Sequence, residues 1–158
     1  MRSFWPNLFP LIALMLLAGC NNQSISGTYT AQQVDGAPMP FVMENEEITL
    51  ELLGSTLILG PDGNWREFGQ MRVLNKATEQ AVTVEASTEG TYTVEGNTIT
   101  FLTTESEVPM ADGSTIMQRN AEALPGPYAG TMQGNMLITD QPATEAVPAM
   151  RVIYRRQE

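Results

Sequence analysis

Gly90-Thr91-Tyr92-Thr93-Val94-Glu95-Gly96-Asn97-Thr98-Ile99-Thr100-Phe101 decides the fold class. Two arms alternate polar and apolar residues on either side of a two-residue Gly-Asn turn. Both turn positions tolerate positive φ, so the stretch predicts a β-hairpin. Tyr92 and Val94 then share a face with Ile99 and Phe101, and Thr91, Thr93, Thr98 and Thr100 take the other. The pattern returns at Tyr128-Ala129-Gly130-Thr131-Met132-Gln133-Gly134-Asn135-Met136-Leu137-Ile138-Thr139, with Gly134-Asn135 at the tip. Convergence of hairpins accounts for the likeness better than duplication.

Glu47 to Leu52 and Ala81 to Glu85 also alternate strictly, the period of a strand with one buried face. Thr56 to Leu59 runs into the turn Pro61-Asp62-Gly63-Asn64, and Trp65 to Leu74 follows before a break at Lys76 to Glu79. Ser26 to Val34 stops at Asp35-Gly36, a strand falls near Thr115–Gln118, Ala121 to Leu124 has room for one helical turn, and Met150 to Arg156 is a last strand. No stretch has the pattern of a long amphipathic helix. Strand spacing of this kind suits an all-β antiparallel barrel or sandwich, and the expectation taken forward is a barrel of about 8–10 short strands, whose closure would also remove exposed edges.

The chain has 158 residues, enough for one ordinary domain. Its net charge of −10 argues against a nucleic-acid partner, since phosphate binding needs a positive surface. With no His and one Cys, most hydrolytic triads, Cys–His pairs, zinc sites and disulfides are excluded.

Residues 1–19 have one early Arg, an apolar run and small residues at the end, the layout of a signal peptide. Leu17-Ala18-Gly19-Cys20 resembles the lipobox of bacterial lipoproteins. That resemblance implies acylation of Cys20, palmitate among the chains, and cleavage before it. Residues 20–25 would be a tether carrying the lipidated Cys20, and residues 26–158 the barrel domain. More than one acyl chain makes such anchoring stable. The implied address is the cell envelope, lipid-anchored; Asn21 after the cysteine leans toward the periplasmic face of the outer membrane in a Gram-negative cell.

Gly27-Thr28-Tyr29, Val34-Asp35-Gly36-Ala37-Pro38-Met39-Pro40, the Gly54 to Trp65 hairpin, the Gly90 to Phe101 unit and the terminal Tyr154-Arg155-Arg156 resemble small bacterial lipocalin-like lipoproteins. The likeness covers nearly all of residues 20–158. It implies a lipocalin-like barrel and, by analogy, a cup for an apolar ligand.

Chemistry-bearing residues are sparse. Asp62-Gly63-Asn64 is a turn without the further carboxylates a calcium loop needs. Glu44, Glu46 and Glu47 form a solvated acidic cluster, Lys76 lies in a polar turn, and the methionines form no copper-binding cluster. No spacing singles out two carboxylates for glycoside chemistry. The expectation is therefore a non-enzyme, with no catalytic residue, metal or cofactor. Tyr29, Trp65, Tyr92, Phe101, Tyr128 and Tyr154 are the candidate ligand-lining residues, with Trp65 and Tyr29 expected nearest the mouth, Trp65 at one end of the barrel because it follows a turn directly. A bound anion would need Arg66, Arg72 or Arg155, whereas a neutral or cationic molecule would not. Partners would be the membrane through Cys20 and a small apolar ligand. The alternative is an envelope protein-interaction module, an inhibitor or assembly accessory, with no ligand cavity.

Overall fold

The computed structural model describes residues 24–44, 46–109, 115–119, 124–143 and 148–158. The expected signal segment, Cys20 and the turn expected at Ala121 to Ala123 lie outside the described residues; Leu124 is in a bend. The described chain is all-β, with no helix among the described residues. Its elements are β1 (Gly27–Val34), β2 (Ala37–Pro38), β3 (Phe41–Glu44), β4 (Ile48–Leu59), β5 (Asn64–Asn75), β6 (Gln80–Glu95), β7 (Thr98–Pro109), β8 (Thr115–Gln118), β9 (Tyr128–Gln133), β10 (Met136–Gln141) and β11 (Met150–Arg156).

Eight strands close in the order β1-β11-β10-β9-β7-β6-β5-β4, and β4 returns to β1 with Gly27 opposite Leu59 and Tyr29 opposite Leu57. All pairings are antiparallel. Of the barrel and the sandwich that the strand pattern allows, the chain forms the barrel. Strands β2, β3 and β8 lie outside the ring, on β1, β4 and β7.

Both Gly-Asn pairs are hairpin tips. Glu95 faces Thr98 and Gln133 faces Met136, with Gly96 at φ 61° and Gly134 at φ 64°. Asp35 (φ 49°) and Gly36 (φ 81°) make the β1–β2 turn, the double positive-φ form that Asp-Gly suits.

The strands are longer than the sequence suggests. β6 is a single 16-residue strand that joins the two stretches read separately around Glu85 and Gly90. Gly90 is a close-approach point there. A Cβ on it would stand 1.9 Å from the Leu102 carbonyl oxygen and 2.9 Å from the Trp65 indole nitrogen. The register shift nearby puts an extra residue in β7 between Thr103 and Glu105, a bulge of the kind that bends a closing sheet.

Register assigns the two faces. Leu59, Trp65 and Gly90 point inward, as do Leu57, Glu67 and Thr88, and Ser55, Gly69 and Ala86. Past the bulge at Leu53, β4, β5 and β6 continue beyond the ring with β3 alongside. The same inner face there carries Leu52, Met71 and Val84, then Leu50, Val73 and Val82. The buried core does not extend that far. It consists of Tyr29, Ala31, Val34, Leu57, Leu59, Trp65, Ile99, Phe101, Leu137, Val152 and Tyr154.

Candidate functional site

The interior is layered along the barrel axis. At the end bearing the Gly60–Gly63, Gly96-Asn97 and Gly134-Asn135 turns, aromatic rings fill it. Phe101 stacks on Tyr128 (centroids 5.0 Å apart, 15°) and meets Trp65 edge-on (5.6 Å, 88°). Trp65 also meets Tyr128 edge-on, and Tyr92 leans on Phe101. Such offset and edge contacts add to the burial of apolar area. The polar tips are satisfied: Trp65 Nε1 donates to Thr91 O (3.1 Å), Tyr92 OH to Gly60 O (2.5 Å) and Tyr29 OH to Ile25 O (2.6 Å). Gly130 leaves room for this packing, since a Cβ there would come within 3.0 Å of Leu137 and Phe101.

Four of the six sequence-predicted lining residues, Trp65, Tyr92, Phe101 and Tyr128, join this packing through ring contacts, and a fifth, Tyr29, is a fully buried core residue opposite Leu57. Trp65 lies beside its turn at one end of the barrel, but both it and Tyr29 are buried in the core rather than placed at an open mouth. The sixth, Tyr154, reaches into a different layer.

That layer is polar and centres on Glu67. Tyr154 OH donates to Glu67 Oε1 (2.6 Å), and Ser55 Oγ donates to the same oxygen. Gln141 Nε2 donates to Tyr154 OH (3.2 Å) and makes a long contact to Glu67 Oε2 (3.5 Å). Four strands, β4, β5, β10 and β11, are tied to one carboxyl group across the interior. Glu67 is enclosed by the barrel wall yet keeps partial solvent access. Burial raises its pKa, and the bonds from Ser55, Tyr154 and Gln141 offset part of that rise. Burial also pushes the Tyr154 and Tyr128 hydroxyls well above the ordinary tyrosine value, and the nearby Glu67 charge adds to both shifts.

Two more inward hydroxyls, Thr103 Oγ1 and Thr139 Oγ1, are buried without a hydrogen-bond partner. Thr139 is two residues from Gln141 on the inner face of β10. The three arginines considered for an anion are all on the outside. Arg66 pairs with Glu89 and lies over the Phe68 ring, Arg72 pairs with Glu51, and Arg155 is exposed.

Beyond Glu67 the wall turns small, at Gly69 and Ala86, then apolar. Leu50, Leu52, Met71, Val73 and Val84 are partly buried there, and Val82 is 38% exposed. A separate open depression of about 590 Å³ lies outside the barrel beside β10 and β11, and includes Asp35, Asp140 and Arg151. These charged groups are mutually satisfied: Arg151 Nε donates to Asp140 (2.7 Å), and the Arg151 amide donates to Asp35 (2.8 Å). Among the described residues no group of three or more Cys, Asp or Glu side chains is placed to hold a metal.

Glu67 is not among the residues that the sequence singles out. The signal was present: Trp65-Arg66-Glu67 places Glu67 on the face of Trp65, so an inward Trp65 implies an inward carboxyl two residues on. Among eighteen acids, nothing else marked it. Compared with protein-family models the chain matches none, and a search of curated proteins finds no match.

Proposed function

We propose that this chain is a lipid-anchored, lipocalin-like protein of the cell envelope that holds a small apolar molecule at the open end of its barrel, without catalysing a reaction. The observation that carries this reading is the inner face of β4, β5 and β6. It continues past the closed ring as an apolar sleeve of Leu50, Leu52, Met71, Val73, Val82 and Val84, whose side chains stay partly exposed. Partly solvated apolar walls next to a closed barrel are what an apolar ligand would bury. In this reading the rings of Tyr29, Trp65, Tyr92, Phe101 and Tyr128 form the floor, and Tyr154 stands above it.

The test is titration of the purified protein with N-phenyl-1-naphthylamine, a neutral apolar dye that brightens on leaving water. Saturable binding is expected, and Val84→Asp should weaken it by about tenfold, the equivalent of about 1.4 kcal/mol. A dye signal that rises without saturating would count against a ligand site and favour the protein-interaction module. Anchoring is tested separately. Cys20→Ser should move the protein from the membrane fraction to the soluble fraction, and mass spectrometry of the wild type should find a chain starting at an acylated Cys20.

A further inference from the structure

We infer that the barrel's ligand carries a cationic head, such as a primary amine, which pairs with Glu67 while its apolar body lies along the sleeve. This rests on the apolar-ligand reading and adds the chemistry of the head group.

The polarity of the network is the first ground. Tyr154 OH accepts from Gln141 Nε2, which leaves its proton for Glu67 Oε1; Ser55 Oγ donates to that same oxygen. Every bond in the cluster runs toward the carboxyl group, an arrangement that suits a carboxylate. Oε2 is less well satisfied, with Gln141 at 3.5 Å. A buried carboxylate is costly unless a cation meets it. Nonetheless, none of the hydrogen-bonding partners of Glu67 is a cation, and Arg66, Arg72 and Arg155 lie on the outside. The charge is met either by a proton or by a cation that enters, and an amine head competes with the proton for the carboxylate.

The second ground is independent of Glu67. The Thr103 and Thr139 hydroxyls face inward, are shut off from bulk water and have no partner. An unpaired buried hydroxyl costs about 1–3 kcal/mol. Unmet acceptors inside the barrel favour a ligand that brings hydrogen-bond donors, as an ammonium group does. Space is the third ground. A Cβ on Gly69, next inward from Glu67 on β5, would meet nothing closer than Leu52 Cδ1 at 3.8 Å, so the way from the sleeve to the carboxyl group is not crowded at that position.

The experiment compares hexylamine, hexanol and hexanoate by calorimetric titration of the purified wild-type protein at neutral pH. Hexylamine is expected to bind at least about tenfold more tightly than hexanol, with hexanoate weakest, and Glu67→Gln should bring the amine down to the alcohol's affinity while leaving hexanol unchanged. Should Glu67→Gln fail to fold, the wild-type Glu67 carboxyl carbon resonance takes its place; it should shift with hexylamine and stay put with hexanol. Equal binding of amine and alcohol overturns the cationic head and leaves the apolar site standing. Preference for hexanoate overturns the proposal outright. Failure of all three, together with failure of the naphthylamine dye, overturns the apolar site as well.

Discussion

The two ends of the barrel use the same three strands differently. Near the hairpin turns, β4 and β5 turn Leu57, Leu59 and Trp65 inward, and these are 1–3% exposed. Past the Leu53 bulge the same strands, with β6, turn Leu50, Leu52, Met71, Val73 and Val84 to the same side, and all remain partly exposed. The local chemistry barely changes; what changes is whether five more strands stand opposite. An inward apolar residue is a core residue only where the ring is closed. Elsewhere it is surface looking for a partner.

Stability should therefore divide along the same line. Phe101→Ala, in the stacked aromatic floor, should cost about 3–5 kcal/mol in urea unfolding. Leu50→Ala, in the sleeve, should cost less than about 1 kcal/mol because little burial is lost. Equal costs would mean the sleeve is packed as tightly as the floor, and the comparison would fail.

Gly90→Ala probes the boundary. The added methyl has no room against the Leu102 carbonyl and the Trp65 ring, so a loss of roughly 1–3 kcal/mol is expected by the same unfolding assay. A near-neutral result would show that β6 can move away from Trp65.

Glu67 gives the barrel interior its own pH dependence. Its folded pKa lies above the ordinary glutamate value of 4.5, so the folded state holds its proton more tightly than the unfolded chain does. Stability from this group is complete below that ordinary value and is lost as pH rises through the raised folded pKa. The groups facing it add no slope there, because Ser55 and Gln141 do not titrate and Tyr154 and Tyr128 stay neutral. Asp62, Glu105 and Asp140, held low by their hydrogen bonds, act only at lower pH. Melting temperature should fall over the window above pH 4.5 in the wild type and stay flatter in Glu67→Gln. Identical profiles would place Glu67 in ordinary solvent.

The smallest effect belongs to the tips. Gly96→Val places a β-branched residue at φ 61° with open space around it, so backbone strain alone should cost on the order of 1 kcal/mol. A much larger loss in chemical unfolding would reveal a packing role for this tip.

Much of the fold was legible residue by residue. The Gly96-Asn97 and Gly134-Asn135 tips, the Tyr92–Phe101 and Val94–Ile99 pairs and the surface threonines all follow from turn chemistry and a period of two, which act between near neighbours. Gly90 read as a boundary because a glycine inside a strand has two meanings, and only the Leu102 carbonyl and the Trp65 ring above it tell them apart. Alternation could place Glu67 on the inner face, but it could not reveal that Ser55, Gln141 and Tyr154 would converge there, since Gln141 lies 74 residues away and Tyr154 lies 87 residues away. Local alternation and turn chemistry set the turns, the strand cores and which side chains share a face. Closure of β1 on β4 decided which of those faces became a packed floor, which an open sleeve, and which carboxyl group was left inside without a cation. Ring closure joins residues far apart in the chain, and a pattern of period two carries no information over that distance.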